Sequence, residues 1–383
     1  MKILIALPGL HKYSRGAEVA FVSVARELAK LGEDVTLVGS GNEASGEPYR
    51  FLHVPSISRE HFEGFPRFPV FRNEYAYEDF TFSLALLRLY RPKKYDITVT
   101  CNYPFTNWVL QSGRRRSRQS RHVFVTENGD WPAQATSGEF RFFSCDGLIC
   151  TNPDFYDRNK ARWPSKLIPN GIDCSRFAPR KIDQDSRLPT DPLRVLMVSA
   201  LMPTKRVLEG IQAVARIPQA HLVIAGDGPL RSKADELGDK LLRGRFTRVS
   251  VPASEMPDLY RSADVFLHLS KEEAFGNVFL EALASGLPVV AHDTPRVRWI
   301  VGEDEFLVDT SDLAAVADAI QHASTFNSAE CIARRTKRAI AFSWDKIASQ
   351  YRNFFREILL ESHTDRTGAR SSNMTKDKVL TGN

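Results

Sequence analysis

Two carboxylates with seven residues between them, Glu273 and Glu281, bracket a glycine turn in this sequence. A carboxylate accepts two hydrogen bonds in a fork. One of the two could therefore bind a hydroxyl of a sugar held against the turn, and the other could bind the paired hydroxyls of a ribose. An isolated pair of acids at this spacing is more often a pair of solvated residues near helix ends, so the interpretation depends on the surrounding residues.

The surrounding residues predict a strand, a turn, a helix and a second strand. Val265 to Leu269 is a short apolar run, Phe275-Gly276-Asn277 turns the chain, and Val278 to Ala284 has helical spacing. Gly286-Leu287-Pro288 ends the helix before the strand Val289 to Ala291. Such a unit places free backbone N–H groups and the positive end of a helix dipole at the carboxyl edge of a sheet, where diphosphates bind.

Two cations open another predicted helix in a similar position. Lys205 and Arg206 follow the predicted strand Val195 to Ser199, and the helix continues through Leu208 and Ile211. At a helix start both side chains can meet a diphosphate. Two basic residues at this place are otherwise ordinary, so this hypothesis also depends on its context.

The run AFGNVFLEALASGLPVVA at residues 274–291 closely resembles the signature of retaining glycosyltransferases of family 4. Ile168 to Asp173 (IPNGID) and Gly226 to Pro229 (GDGP) also resemble motifs of that family. The resemblance covers roughly residues 1–360 and is strongest over 195–300. It implies an α/β protein of the GT-B fold, with two facing doubly wound, Rossmann-like domains and an interdomain cleft.

The resemblance further implies transfer of a hexosyl group, with retention of configuration, from a UDP- or GDP-sugar to a saccharide or lipid-linked saccharide during cell-surface glycan or polysaccharide biosynthesis. No metal and no cofactor are expected, because the nucleotide sugar is a substrate. The expected catalytic residues are Glu273, Lys205 and Arg206. The expected donor-binding residues are Gly16, Lys205, Arg206, Gly226, Val251, Glu273, Phe275, Gly276, Asn277, Val278 and Glu281.

The sequence departs from the family pattern at three places. The family usually has two adjacent glycines where this chain has Arg15-Gly16, and many members have glycine and arginine where Ser199 and Ala200 stand. A histidine of many members is replaced by a turn whose residues Glu127, Asn128 and Asp130 are predicted to face the acceptor. These departures keep open an alternative, a catalytically weakened GT-B partner subunit that binds nucleotide.

The predicted domains are an acceptor-side domain over residues 1–179, a polar linker over 180–192 and a nucleotide-sugar-binding domain over 193–343. A last helix over 344–362 is expected to pack back on the first domain, and 363–383 is predicted to be a disordered tail. The prolines of the phenylalanine-rich segment 59–75 argue against a regular helix, and its phenylalanines predict a packed loop rather than a binding surface.

All of the excess positive charge lies in the first half of the chain. Residues 1–180 contain 25 Lys and Arg against 19 Asp and Glu, whereas residues 181–383 contain 27 of each. Five arginines are concentrated after Trp108 and Leu110, and no nucleic-acid recognition motif accompanies them. This patch predicts contact with an anionic membrane surface; solvated arginines are the alternative. The five are Arg114, Arg115, Arg116, Arg118 and Arg121.

Compartment and membrane topology are also predicted from the sequence. Five cysteines without a C-x-x-C pair indicate reduced thiols, which is typical of the cytoplasm. Residues 3–7 are apolar and are closed by Pro8-Gly9, so they predict a first strand rather than a signal peptide. The expected location is therefore the cytoplasm, with peripheral attachment at the inner face of the plasma membrane.

Overall fold

The chain divides into two compact units in a computed structural model that describes residues 1–116, 120–134, 138–180, 192–273 and 275–377. The side chains of residues 114–116 and of residues beyond 360 are outside this description. The first unit comprises Met1–Pro169 together with Trp344–Asn383, and the second comprises Asn170–Ser343. Both are α/β units built on parallel sheets.

The first unit contains a seven-stranded sheet in the order β3-β2-β1-β4-β5-β6-β7, in which every neighbouring pair is parallel. The chain builds outward from β1 in one direction and then restarts at β4 on the other side, so the order reverses between β1 and β4. The strands are β1 (Lys2–Ala6), β2 (Asp34–Gly39), β3 (Arg50–His53), β4 (Ile97–Thr100), β5 (Arg121–Val125), β6 (Gly147–Cys150) and β7 (Ser165–Leu167).

Helices cover both faces of this sheet because its central strands are apolar on both faces. Alternate residues of β1 supply both cores: Ile3 and Ile5 pack on one face, and Leu4 and Ala6 pack on the other. The helices are α1 (Gly16–Lys30), α2 (Glu74–Leu89), α3 (Phe105–Arg116), α4 (Pro153–Asn159) and α12 (Trp344–Asp377). Short 3₁₀ turns occur at Arg59–Phe62, Pro92–Lys94, Thr126–Asn128, Trp131–Gln134 and Gly138–Phe142.

The second unit repeats this plan with six parallel strands in the order β10-β9-β8-β11-β12-β13, so its order reverses between β8 and β11. The strands are β8 (Leu193–Val198), β9 (Ala220–Ala225), β10 (Phe246–Val249), β11 (Val265–His268), β12 (Val289–His292) and β13 (Phe306–Val308). The helices are α5 (Val207–Val214), α6 (Arg231–Leu242), α7 (Met256–Arg261), α8 (Asn277–Ala284), α9 (Pro295–Val301), α10 (Leu313–Ser324) and α11 (Ala329–Ile340). A 3₁₀ turn over Pro203–Lys205 precedes α5.

The boundary between the two units lies about ten residues earlier than the sequence predicted. Residues 170–179 belong to the second unit rather than the first, because Ile172 and Phe177 are buried in the core around α8. The backbone N–H of Ile172 also donates a hydrogen bond to the carbonyl of Phe342 at 2.9 Å. Most of the predicted linker, residues 181–191, lies outside the described residues.

The last helix differs in length from the prediction. Its buried residues Ile347, Tyr351 and Phe355 pack into the first unit's core. The backbone stays helical to Asp377, fifteen residues past the helix end at 362 that the sequence predicts. No proline interrupts the sequence after Trp344, and Gly368 is the one glycine before Asp377, so local propensity allows the helix to continue. Residues 378–383 lie outside the description.

The sequence also missed α2, which begins at Glu74 inside the segment predicted as a packed loop. Asn73 caps this helix, since its side chain accepts a hydrogen bond from the N–H of Ala76 at 3.1 Å.

None of the helices in the described part of the chain is both long enough and apolar enough to span a bilayer.

A buried ion pair, Arg335–Glu305, joins several elements of the second unit. The two side chains are 1% and 2% exposed, and Arg335 Nε donates to Glu305 Oε1 at 2.9 Å. Glu305 Oε2 accepts from the N–H of Val289 at the start of β12 (2.8 Å). Arg335 also donates to the carbonyl of Phe326 at 2.8 Å. Burial raises the pKa of Glu305, and Arg335 opposes that shift.

We expect Arg335→Met to lower the free energy of unfolding by about 3–5 kcal/mol, because it leaves Glu305 buried without its cation. Urea-induced unfolding followed by circular dichroism measures the change. Arg334→Met is the matched control, since the neighbouring Arg334–Asp304 pair (3.3 Å) is 42% and 65% exposed and exposed pairs contribute about 0–1 kcal/mol. Equal losses in the two variants would contradict a structural role for the buried pair.

Candidate functional site

The reversal of strand order between β8 and β11 defines the carboxyl edge where ligands of doubly wound sheets bind. These two strands are direct neighbours in the sheet. The loop after β8 carries Lys205 and Arg206, and the loop after β11 carries Glu273 and Gly276. The topology therefore brings the predicted cations and the predicted carboxylate to the same edge.

At this edge Glu273 is held by two side chains, one from the loop after β8 and the other from the end of β11. Lys205 Nζ donates a hydrogen bond to Glu273 Oε1, and His268 Nε2 lies 2.7 Å from the same oxygen. Burial alone would raise the pKa of Glu273, but His268 and then Lys205 outweigh it and lower that pKa to about 2. Glu273 is therefore ionised at neutral pH, and it can accept hydrogen bonds from hydroxyl groups.

His268 was not predicted as a site residue, because it lies in a run of sequence that is otherwise apolar. The imidazole is 3% exposed and lies against the rings of Phe266 and Phe279, with centroids 6.3 and 5.1 Å away. An imidazole inside an otherwise apolar strand was the available signal, because a buried polar group requires a partner. Here the partner is the carboxylate of Glu273.

Glu281 lies on α8, the helix that begins at the turn. Its Oε2 accepts a hydrogen bond from the hydroxyl of Tyr260 at 2.7 Å, and no hydrogen bond to Oε1 is found within the described ranges. Burial raises the pKa of Glu281, and the Tyr260 bond and the charge of Arg176 oppose that shift. One carboxylate oxygen is thus already oriented, and the other can accept from a ligand.

Gly276 is required by both backbone conformation and space. Its φ is 83°, in the left-handed region, and an added Cβ would lie 2.7 Å from a ring carbon of Phe279. Gly276 occupies the N-cap position of α8 without a side-chain cap, so amides of the first turn, including those of Asn277 and Val278, receive no cap from it. Such amides bind anions.

Phe275 and Arg206 are placed differently from what their predicted roles suggest. The Phe275 side chain is 4% exposed and belongs to the core, so only its backbone can meet a ligand. The Arg206 guanidinium donates to Glu209 at 3.1 Å and to Thr310 at 2.8 Å. It is therefore already committed to the protein, whereas Lys205 contacts Glu273.

The remaining predicted donor residues follow β9 and β10. Gly226 has a φ of 150°, and a Cβ there would lie 1.9 Å from the carbonyl oxygen of Ser199. The loops after β8 and β9 approach closely at this point, which explains the glycine. Val251 lies just beyond the end of β10, the strand that pairs with β9.

In the first unit, Gly16 opens α1, and Arg15 at the N-cap makes no side-chain cap bond. The predicted acceptor residues follow β5. Asn128 Nδ2 donates to Asn102 Oδ1 at 2.8 Å, and Glu127 occupies a 3₁₀ turn beside it. Asp130 accepts from Arg158 and Asn159, each at 2.7 Å, so its carboxylate braces α4.

The predicted basic patch is only partly within the described structure. The side chains of Arg114, Arg115 and Arg116, and the whole of Arg118, lie outside it. Arg121 belongs to β5, and its Nη1 lies 3.5 Å from Asp146 Oδ1 with the side chain 18% exposed. Leu110 is 1% exposed and part of the core. Arg121 and Leu110 are therefore not free to meet a membrane, which corrects that part of the prediction.

Two Rossmann-like parallel sheets, one with a glycine turn between two carboxylates at its switch point, define a protein of the GT-B class. Two family profiles match the chain: "Glycosyltransferase Family 4" over residues 14–176 and "Glycosyl transferases group 1" over residues 179–337. This chain belongs to glycosyltransferase family 4.

Individual relatives agree with this assignment, and solved structures share the fold. The chain is 29% identical to alpha-monoglucosyldiacylglycerol synthase of Streptococcus pneumoniae, over 76% of this chain and 71% of the relative. It is 25% identical to D-inositol 3-phosphate glycosyltransferase of Acidothermus cellulolyticus, over 92% and 88%. Among solved structures, sucrose-phosphate synthase of Thermosynechococcus elongatus matches with a TM-score of 0.74 at 22% identity, over 94% of this chain and 99% of that one. Anabaena HepE in complex with UDP-glucose matches with a TM-score of 0.69 at 17% identity, over 94% and 100%.

A pH experiment tests the hold of His268 on Glu273. A carboxyl whose pKa is lowered from 4.5 to about 2 on folding contributes stability that is present above pH 4.5 and is lost as the pH falls toward 2. We expect His268→Leu to raise that pKa by about 1–2 units, the worth of a hydrogen bond to a charged group. The variant should therefore lose less free energy of unfolding between pH 5 and pH 3 than the wild type does.

His268→Gln serves as the control because it keeps an N–H donor in the same strand, and we expect its pH dependence to lie between those of the wild type and the leucine variant. The window from pH 5 to pH 3 lies below the ordinary titration of histidine, so the removed imidazole itself contributes little there. Parallel curves for the wild type and His268→Leu would rule out this role of His268.

Proposed function

We propose that this protein is a retaining, metal-independent glycosyltransferase that moves a hexosyl group from a UDP- or GDP-sugar to a saccharide or lipid-linked saccharide in cell-surface glycan or polysaccharide biosynthesis. The observation that carries the proposal is the Lys205–Glu273–His268 cluster beside the uncapped start of α8. It places an oriented ammonium, an ionised carboxylate and backbone amides at one sheet edge.

These groups have separate tasks in the proposed reaction. The Lys205 ammonium has three protons, of which Glu273 takes one hydrogen bond, so the others can donate to the donor diphosphate. Together with the Gly276–Val278 amides it stabilises the negative charge that grows on the leaving diphosphate. Glu273 accepts from a sugar hydroxyl through the oxygen that Lys205 and His268 leave open. Arg206, already bound to Glu209 and Thr310, supplies long-range positive charge.

Glu281 fits the ribose of the nucleotide. Tyr260 orients one carboxylate oxygen at 2.7 Å, and the carboxylate can accept from the two neighbouring ribose hydroxyls in a fork. Burial raises the pKa of Glu281 and thereby favours its neutral form. Hydrogen bonds from the two ribose hydroxyls would oppose that shift and favour the ionised carboxylate when the nucleotide binds. We assign contacts with the base to the backbone of Gly226 and Val251, which follow β9 and β10.

The nature of the acceptor is proposed from the relatives. One relative is named for a monoglucosyldiacylglycerol and another for an inositol phosphate. A lipid-bound acceptor suits a cytoplasmic enzyme that associates peripherally with the membrane through the basic residues at the end of α3. No resident cofactor takes part, since the nucleotide sugar is consumed.

Turnover of UDP- and GDP-sugars by the purified protein tests the function, and Lys205→Ala tests the mechanism. If Lys205 acts on charge that develops during bond breaking, the variant should lose roughly 100-fold in kcat with a smaller change in donor affinity. Lys271→Ala is the matched control, since Lys271 lies at the same sheet edge, in the loop after β11, but donates to Ser311 at 2.6 Å. Full kcat with a higher KM in Lys205→Ala would refute the leaving-group role. Binding of a nucleotide sugar without any turnover would favour the weakened partner subunit.

Peripheral attachment is tested separately by co-sedimentation with vesicles. We expect the protein to bind vesicles that contain anionic phospholipid at low salt, with weaker binding as salt screens the charges. Changing Arg114, Arg115 and Arg116 to serine should reduce binding markedly, since each such charge near the surface is worth about 1 kcal/mol. Absence of wild-type binding at low salt would exclude attachment through this segment.

A further inference from the structure

A second group of charged side chains lies at the switch point of the first unit, beside the end of β1. Glu18 on α1 is 5% exposed, and a Cβ added to Gly9 would lie 2.0 Å from its Oε1, so Glu18 covers the loop that leaves β1. Neighbouring charges act on one another here: Arg15 lowers and Glu78 raises the pKa of Glu18, although burial is the main cause of its upward shift. We call Glu18, Arg15 and Glu78, together with Lys12, Arg59 and Glu60, the Glu78 cluster.

Glu78, on α2, is a buried carboxylate with only one oxygen satisfied. Its side chain is 3% exposed, and its Oε2 accepts from Arg59 at 2.9 and 3.1 Å. Oε1 is also buried but has no hydrogen-bond partner in the described part of the chain. Burial raises the pKa of Glu78 to about 7, although Arg15 and Lys12 oppose the shift. A donor on Oε1 would stabilise the ionised form.

Arg15 has a hydrogen-bond donor without an acceptor, whereas Glu78 has an acceptor without a donor. Its Nη1 is buried without an acceptor among the described residues. The guanidinium is held in place, because its carbon lies 3.9 Å from the centre of the Tyr13 ring and its Nη2 lies 3.8 Å from Glu60. The Arg15 side chain as a whole is 37% exposed, so a ligand can approach the guanidinium and supply an acceptor for Nη1.

The unpartnered donor and the unpartnered acceptor do not bond each other, although their charges interact. A hydroxyl group meets both needs, because it accepts one hydrogen bond and donates another. The Glu78 cluster contains three acids and three cations. Once a hydroxyl donor on Oε1 stabilises ionised Glu78, these charges balance, and the balance favours a neutral ligand over an anion. Exposed aromatic surface is available nearby, since Tyr75 is 53% exposed beneath the guanidinium of Arg59.

We propose that Arg15 and Glu78 form the binding site for a hydroxyl group of the acceptor, and that this acceptor presents a neutral sugar or polyol there. The proposal deepens the proposed glycosyltransferase function and rests on it. It also gives Arg15, which replaces a glycine of the family pattern, a role in acceptor recognition. Glu127 and Asn128 lie beyond β5 at the same carboxyl edge of the sheet.

Ligand-observed NMR with the full chain tests the site, using methyl α-glucoside, methyl α-mannoside and myo-inositol as neutral probes and glycerol 3-phosphate as an anionic one. We expect at least one neutral probe to show saturation transfer from the wild type. Arg15→Met and Glu78→Gln should each weaken its binding about tenfold, the effect of one lost hydrogen bond. Arg67→Met is the control, since the Arg67 side chain is 74% exposed and its ion pair with Glu74 is long, at 4.0 Å.

Each outcome decides the proposal, provided that unfolding midpoints show the variants to be folded. Loss of neutral-probe binding in both variants, with Arg67→Met unchanged, supports it. No neutral-probe binding by the wild type overturns it, and so does binding that is equal in all variants. Binding of glycerol 3-phosphate alone, lost in Arg15→Met, would make Arg15 an anion site and would also overturn it. UDP- and GDP-sugar binding, measured separately, shows whether the proposed function itself fails.

Discussion

The charge balance around Glu273 determines how the second unit presents its ligand edge. The carboxylate is mostly buried, and burial alone would favour its neutral form. The Lys205 ammonium and the His268 imidazole reverse that preference because both lie on the same oxygen. Since Lys205 follows β8 and His268 ends β11, the interaction also ties together the two strands between which the sheet order reverses.

Other features of this edge support that balance. The glycine at 276 allows the chain to turn sharply enough for α8 to begin next to the carboxylate, and the Arg296 guanidinium donates to the Glu273 carbonyl. On the opposite side of α8, Arg335 and Glu305 hold the exit of the helix and the start of β12. Contacts therefore hold α8 at both ends. As a result, Glu273 and Glu281, the two acids of the E-x7-E motif, keep a constant position relative to each other.

The sequence predicted the sheet-forming elements and the position of the site because both follow from local patterns. Apolar runs such as 3–7 and 265–269, each followed by a glycine turn or a polar loop, match β1 and β11 to within one residue. Lys205 and Glu273 were expected at the same edge because each follows a strand, and parallel strands end at one edge. The GT-B class and the family followed from motifs in the turns.

What the sequence could not predict depends on long-range contacts. His268 could be recognised as a partner of Glu273 only once its ring was known to point toward the loop after β11. Arg206 and Lys205 are adjacent and chemically similar, yet Arg206 donates a hydrogen bond to Thr310, which is more than one hundred residues away in the sequence. The prolines that precede α2 argued against a helix, so α2 was not predicted. Its residue Glu78 is a candidate ligand-binding residue only because the structure shows that its carboxylate is buried.

The return of α12 to the first unit has a consequence for how the chain folds as it is made. Phe21 and Leu28 of α1 share a core with Ile347, Tyr351 and Phe355, so one wall of the first unit is encoded after the whole of the second. During synthesis the first 169 residues leave the ribosome with that apolar surface uncovered, while the second unit can complete its own core as soon as Ser343 emerges. The unit that is made second is therefore the first that can finish folding.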